Sequence, residues 1–311
     1  MAPRGCPEKL RAWLRSRTSF IEADWGDDER REPSQVEEDF QGGVYVITLE
    51  KRREHVMGFM QELGMRPLLF RAIPKNSLDF AELVRVGAIS KGYAKEANRG
   101  RIACNLSHAA CLLHALEQGG LAAVKKRMAL VFEDDIDVED EAPGRAMARM
   151  HDFYKKAGKV AGARPLLGYF GYCFEGDGTE KEVRGMYRMV APKCRHAYFF
   201  NGAAAETLFS HTLPQAFHGD ETWGAAIRDG KIEAYGMVRP AIWQRREKLG
   251  TNLGNVGAVP LFSSVPQDTV ASPKAALGER GTAVVALGAS ILVVICLGIV
   301  LTSLRKKTLS E

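Results

Sequence analysis

An apolar run, MALVF, ends abruptly in Glu133, Asp134, Asp135 and then Asp137. Carboxylates crowded at one point repel one another unless a cation or solvent separates them. Oxygen ligands of this kind suit Mg²⁺ or Mn²⁺. In open α/β sheets, ligands bind outside the carboxyl ends of the strands, which is where these side chains would emerge. The competing reading is a solvated acidic loop leaving the core. A second acidic pair, Asp220 and Glu221, stands in FHGDETWGAAIRDG just before an amphipathic turn. The six cysteines (Cys6, Cys104, Cys111, Cys173, Cys194 and Cys296) show no CxxC pair and no dense even framework. Neither a structural zinc site nor a disulfide scaffold is therefore expected, and Cys104, Cys111 and Cys194 read as small buried hydrophobes.

The elements that would carry these residues alternate. GVYVITL (43–49) is β-branched and aromatic, and the following KRREHVMGFMQELGM sets Val56, Phe59, Met60 and Leu63 at helical spacing before a stopping Gly64. PLLFRAI reads as a second strand. A helix is predicted from about Leu106 to Gln118, closed by a Gly-Gly pair. Beyond the acidic run, RPLLGYFGY reads as a buried strand, CRHAYFFNGAAAETLFSH as a strand entering a helix, and KIEAYGMVRPAIWQ as a strand leading to a proline-marked loop. This alternation predicts an α/β sandwich around a mainly parallel sheet.

The chain has 311 residues, 46% of them hydrophobic and 26% charged, with a net charge of +5 spread along its length. That is globular composition, and the charge excess is too small and too scattered to expect a nucleic-acid partner. Residues 1–17 carry five positive charges against one negative, and residues 18–40 nine acidic residues against Arg30 and Arg31. Such blocks predict a solvated arm over residues 1–40, with the Leu10, Trp13 and Leu14 stripe as a possible membrane contact. Residues 41–250 form the expected working domain, and the glycines and prolines of 251–281 a tether. From Thr282 to Leu304 runs a stretch of 23 uncharged residues, which as a helix of about 34 Å would cross a bilayer. The expectation is a single-pass C-terminal membrane anchor with a short polar tail, 305–311. The flanking charges leave its orientation open.

The order of segments resembles glycosyltransferase family 25. VYVITLEKRREHVMGFM is similar to the family's first strand and its Asn-Leu-Asp-Arg-Arg type ending, with Thr48, Glu50 and His55 in place of Asn, Asp and Arg. GRIACNLSHAACLL resembles its Gly-x-Ile-Gly-Cys-x-x-Ser-His block, with Ala103 for the second glycine. ALVFEDDID matches its Glu-Asp-Asp metal motif, CRHAYFFNGAAAETL its His-Ala-Tyr segment, and FHGDETW stands where Pro-Val-Asp is expected. The resemblance covers roughly residues 43–247. It implies a GT-A fold, Rossmann-like in its nucleotide-binding half, a divalent cation (Mn²⁺ or Mg²⁺), a nucleotide-sugar donor such as a UDP-sugar, a glycan or protein acceptor, and transfer with inversion.

On that basis Asp134 and Asp135 would hold the cation, with Glu133 ranked behind them as an orienting carboxylate. Asp220 is the candidate base for the acceptor hydroxyl or else a further metal ligand, and Glu221 is its substitute. Arg52 and Arg53 either pair with donor phosphate or face solvent. Ser107 either caps its helix or meets the donor, and His108 either packs or binds it. His196 reads as a core residue that the resemblance raises to a site position. Asp137 reaches ribose or metal, or stays solvated. Trp243 and Gln244 line the acceptor cleft or, in the case of Trp243, belong to the core. Two other classes compete with the transferase: a catalytically silent, membrane-anchored binding module, for which the altered Thr48, Glu50, His55 and Ala103 speak, and two-metal phosphoryl or nucleotidyl transfer.

Overall fold

A computed structural model describes residues 7–25, 35–95, 98–138, 141–175, 182–216 and 218–245. The apolar stretch 282–304, its tether and the polar tail lie outside the described residues. No helix among the described residues is long and apolar enough to cross a membrane. The chain divides into Met1–Ser263 and Ser264–Glu311, and every described residue belongs to the first unit.

The strands are β1 (Val44–Thr48), β2 (Leu68–Arg71), β3 (Met128–Glu133), β4 (Ile136–Asp137), β5 (Leu166–Gly171), β6 (Phe174–Glu175), β7 (Glu182–Val183), β8 (Met186–Arg188), β9 (Pro192–Lys193), β10 (Ala197–Asn201), β11 (Glu233–Met237) and β12 (Trp243–Gln244). The helices are α1 (Glu8–Arg17), α2 (Gln35–Asp39), α3 (Arg53–Glu62), α4 (Phe80–Val86), α5 (Arg99–Glu117), α6 (Pro143–Ala161), α7 (Gly202–Thr212) and α8 (Gly219–Arg228). The main sheet runs in the order β2-β1-β3-β10-β5-β11-β8-β7. β1 is parallel to β2 and β3, and β5 to β11, while β10 is antiparallel to both of its neighbours. The strands β1, β2, β3, β5 and β11 therefore share one direction, in a mixed, largely parallel sheet of Rossmann-like character. The antiparallel β10 at the centre departs from the simple alternation expected.

Each face of the sheet carries its own core. On one side α1, α4, α5, α7 and α8 cover Tyr45, Val131, Tyr169, Tyr198 and Phe200. On the other, α3 and α6 cover Val46, Leu130, Phe132, Phe170 and Phe199. The period-2 alternation along β3 and β10 sends neighbouring residues to opposite layers. The strands are buried on both faces, so their sequences read as continuous apolar runs.

Two elements depart from the sequence reading. Glu8–Arg17 is a helix whose Leu10, Trp13 and Leu14 are buried in the core layer over α5 and α7 rather than part of a solvated arm. Its charges are spent on that docking: Arg11 pairs with Glu206 at 2.7 Å, and Arg15 with Glu117 at 2.8 Å. Residues 1–6 and 26–34 of the expected arm lie outside the described residues. The second departure is α5, which begins at Arg99 rather than near Leu106. The Asn98 side chain caps it by accepting from the backbone N–H groups of Gly100 and Arg101. Ser107 therefore lies inside the helix and caps nothing.

Candidate functional site

β1 and β3 are parallel, so the ends of both strands reach the same edge of the sheet, and β3 delivers Glu133 there with Asp134 and Asp135 in the turn that follows. The three carboxylates have different partners. Asp134 turns toward the end of β1: Arg52 Nη1 donates to its Oδ1 at 2.5 Å, and Leu49 N and Thr48 Oγ1 donate to its Oδ2 at 3.1 and 3.3 Å. Burial raises the Asp134 carboxyl above the ordinary aspartate range, and Arg52 pulls against that shift. Arg52, expected on donor phosphate or in solvent, is buried against Asp134 instead. Its neighbour Arg53 opens α3 and is partly exposed. Of the residues that depart from the family pattern, Thr48 bonds Asp134, Glu50 pairs with Arg71 at 2.7 Å, and His55 is exposed.

Glu133 and Asp135 are drawn to a common point. The amide nitrogen of Gln244, on β12, donates to Glu133 Oε2 at 3.0 Å and to the two Asp135 oxygens at 2.9 and 3.1 Å. β12 is held there by pairing with β4 and by the Arg245 N–H, which donates to the Asp135 carbonyl at 2.7 Å. Carboxylate oxygens are the hard ligands that Mg²⁺ or Mn²⁺ take, and here the point on which they converge is filled by the Gln244 amide nitrogen. Asp137, 31% exposed, lies beside Arg245 Nε at 3.3 Å.

The other oxygen of Glu133 meets α5. His108 Nε2 lies 3.0 Å from Oε1, and His108 Nδ1 lies 2.9 Å from the Tyr198 hydroxyl. Burial, reinforced by the positive charge of Arg195, lowers the His108 pKa and keeps the ring neutral, while burial raises that of Tyr198. Cys104, His108 and Glu133 each bring one ligand atom within 4.8 Å of the others. Burial holds the Cys104 thiol protonated and Nε2 is already turned to Glu133, so this group is a hydrogen-bonded cluster. Ser107 Oγ donates to the Ala103 carbonyl and accepts from Ile73 N, which ties α5 to the segment after β2.

Asp220 sits in the first turn of α8, 31% exposed, with Oδ1 3.1 Å from Arg195 Nε and Oδ2 accepting from Cys194 N at 3.1 Å. Arg195 is only 4% exposed: its Nη2 donates to Asn105 Oδ1 at 3.0 Å, and its guanidinium carbon lies 4.6 Å from the Trp223 ring centroid. The charges of Arg195, Glu133 and Asp220 all act on His108, so the three occupy one electrostatic neighbourhood. Glu221 is exposed on α8. His196 is buried with Nε2 3.2 Å from the Ile242 carbonyl, packed where Gly171 leaves room for it, and so takes the core position.

Cys194 is not a free buried thiol: it forms a disulfide with Cys173, 21 residues away. That bond ties the segment after β5 to the segment that carries Arg195 and donates to Asp220. The Cys173–Cys194 spacing has no motif that could have marked it in the sequence, and the roles of Arg195, Tyr198 and Gln244 depend on contacts between distant segments. Cys111 is buried as expected.

An α/β/α sandwich on a largely parallel sheet is a Rossmann-like fold, and open sheets of this kind take their ligands at the edge where the strands end. Residues 42–158 match the model of glycosyltransferase family 25 (LPS biosynthesis protein). This segment is similar to that family of glycosyltransferases, in line with the resemblance that the motifs within it carry. The match contains Arg52, Ser107, His108 and the Glu133–Asp135 run, while Arg195, His196, Asp220 and Gln244 lie beyond it. No curated protein matches the chain.

Proposed function

We propose that the protein transfers a hexose, galactose or glucose, from a nucleotide sugar such as a UDP-sugar to a hydroxyl of a glycan or protein acceptor, with inversion and in a GT-A arrangement. The observation that carries this reading is the convergence of Glu133 and Asp135 on one point at the carboxyl edge of the sheet, beside the Asp220–Arg195 pair. Glu133 and Asp135 would hold Mn²⁺ or Mg²⁺. Asp134, which the sequence reading ranked with Asp135 ahead of Glu133, holds the β1 end through Arg52. A divalent cation bound there would act as a Lewis acid on the departing diphosphate.

The chain's own groups supply the remaining chemistry. Arg195 and the Cys194 N–H each take one oxygen of Asp220, which fixes its orientation. Exposure of about a third leaves its carboxylate accessible to an acceptor hydroxyl, whose proton it would accept. Glu221 is the less favoured base because nothing in the described structure orients its side chain toward the carboxylates. The hydroxyl oxygen would attack the anomeric carbon from the face opposite the diphosphate, so the new glycosidic bond forms as the old one breaks.

The apolar stretch 282–304 supports a membrane anchor, and the Cys173–Cys194 bond favours an oxidising compartment for the domain. The test is to incubate the full chain in detergent with Mn²⁺, a panel of UDP-hexoses and hydroxyl acceptors, and to weigh the products. A hexose joined to the acceptor together with free UDP is expected. Transfer of a phosphoryl or nucleotidyl group instead, or no turnover of any donor, would reject the proposal.

A further inference from the structure

Tyr198, His108 and Glu133 form a buried line running from β10 through α5 to the end of β3. Tyr198 is 0% exposed and His108 1%, so neither reaches the surface at which a substrate would bind. The two hydrogen bonds along the line determine where its protons sit. An ionised carboxylate only accepts, so the ring nitrogen facing Glu133 Oε1, Nε2, carries the hydrogen. On a neutral ring Nδ1 then presents a lone pair, which the Tyr198 hydroxyl fills as donor. One tautomer satisfies every group. Packing holds the rings in place: the Tyr198 centroid lies 5.7 Å from His108 and 5.0 Å from Trp223, which itself stands edge-on to His108 at 6.5 Å. At the far end, Glu133 Oε2 accepts from the same Gln244 nitrogen that binds Asp135.

We propose that Tyr198 is a positioning residue for the transfer reaction: by donating to Nδ1 it reinforces the Nε2–H tautomer that Glu133 selects, and so holds His108 and Glu133 in the orientation in which Glu133 and Asp135 share a common point. The inference rests on reading Glu133 and Asp135 as the cation-facing pair. Without the hydroxyl, Nδ1 loses its donor, only Glu133 still selects Nε2–H, and the share of rings carrying the hydrogen on Nδ1, the form that cannot donate to Glu133, rises. Partners that orient metal-facing groups in this way are worth about 10–100-fold in metal affinity.

Tyr198→Phe removes only the hydroxyl and keeps the ring. With ¹⁵N-histidine-labelled full chain in detergent, the wild type should show a protonated Nε2 and an unprotonated Nδ1 for His108, assigned by loss of the signals in His108→Gln. Tyr198→Phe should show a mixture of tautomers, and its Mn²⁺ affinity by calorimetry should fall about tenfold with an unchanged circular dichroism spectrum. His108→Gln can donate an amide N–H to Glu133 without help from the tyrosine, so adding Tyr198→Phe to it should cost no further affinity. The wild-type tautomer is readable whatever the folding of Tyr198→Phe, and a hydrogen on His108 Nδ1 in the wild type would overturn the inference. Unchanged tautomer and Mn²⁺ affinity in Tyr198→Phe, or additive losses in the double variant, would overturn the inference while leaving the cation reading intact. A wild type that binds no Mn²⁺ would overturn the cation reading and this inference together.

Discussion

Asp134 and Asp135 are neighbours in sequence, and their partners set them apart. Asp134 is closed in by Arg52, Leu49 and Thr48, whereas Asp135 and Glu133 meet at the Gln244 amide. Removing one partner of a buried ion pair strands the other charge away from water. Arg52→Ala is therefore expected to cost about 3–5 kcal/mol in urea unfolding, with Arg52→Lys losing less because it keeps the charge; an Arg52→Ala protein as stable as the wild type would contradict the pairing. The acidic strand end was legible as four carboxylates closing an apolar run, a pattern that a solvated loop also fits. The split between Asp134 and its neighbours was not, because it depends on a turn after β1 and a strand some 110 residues downstream.

At the level of elements, the site is assembled by α5 and α8 against the ends of β3 and β10. α8 starts on Gly219, where a Cβ would lie 2.2 Å from Arg195 Nη2 and 2.4 Å from Asn105 Oδ1. Gly219→Ala should thus push Arg195 off Asp220, lowering turnover at least about tenfold while costing only about 1–3 kcal/mol of stability, as overpacking does. Full activity in that variant would show that the Arg195–Asp220 contact is dispensable. The strands and α3 follow directly from apolar runs and helical spacing in the sequence. The start of α5 was missed because Arg99–Ala103 lack a strong helix pattern, and only the Asn98 cap reveals it. Cys173 and Cys194 gave no signal because a pair so spaced is ordinary unless the fold brings them together.

Across the whole molecule, the N-terminal segment is part of the body. Phe20 bridges to Phe70 and stacks edge-on to His114 at 5.0 Å, and His114 also meets Tyr45 at 5.6 Å. Burial among these rings lowers the His114 pKa below its ordinary 6.5. The folded protein therefore binds this proton less readily than the unfolded chain. Its contribution to stability is present above about pH 6.5 and is lost as pH falls toward the folded value. Melting temperatures measured from pH 8 to pH 5 should drop on the acid side, and His114→Gln should flatten that part of the profile. An unaltered slope in His114→Gln would place the acid sensitivity elsewhere. Charge counting alone read residues 1–40 as an arm, whereas the Leu10, Trp13 and Leu14 stripe is the pattern that docks α1.

The most direct test of the account titrates Mn²⁺ into the full-length protein, with and without UDP, for the wild type, Asp135→Asn and Asp134→Asn, with thermal melting as the check on folding. The account predicts that Asp135→Asn stays folded and loses Mn²⁺ binding, while Asp134→Asn loses chiefly stability. Wild-type Mn²⁺ affinity in Asp135→Asn would contradict it.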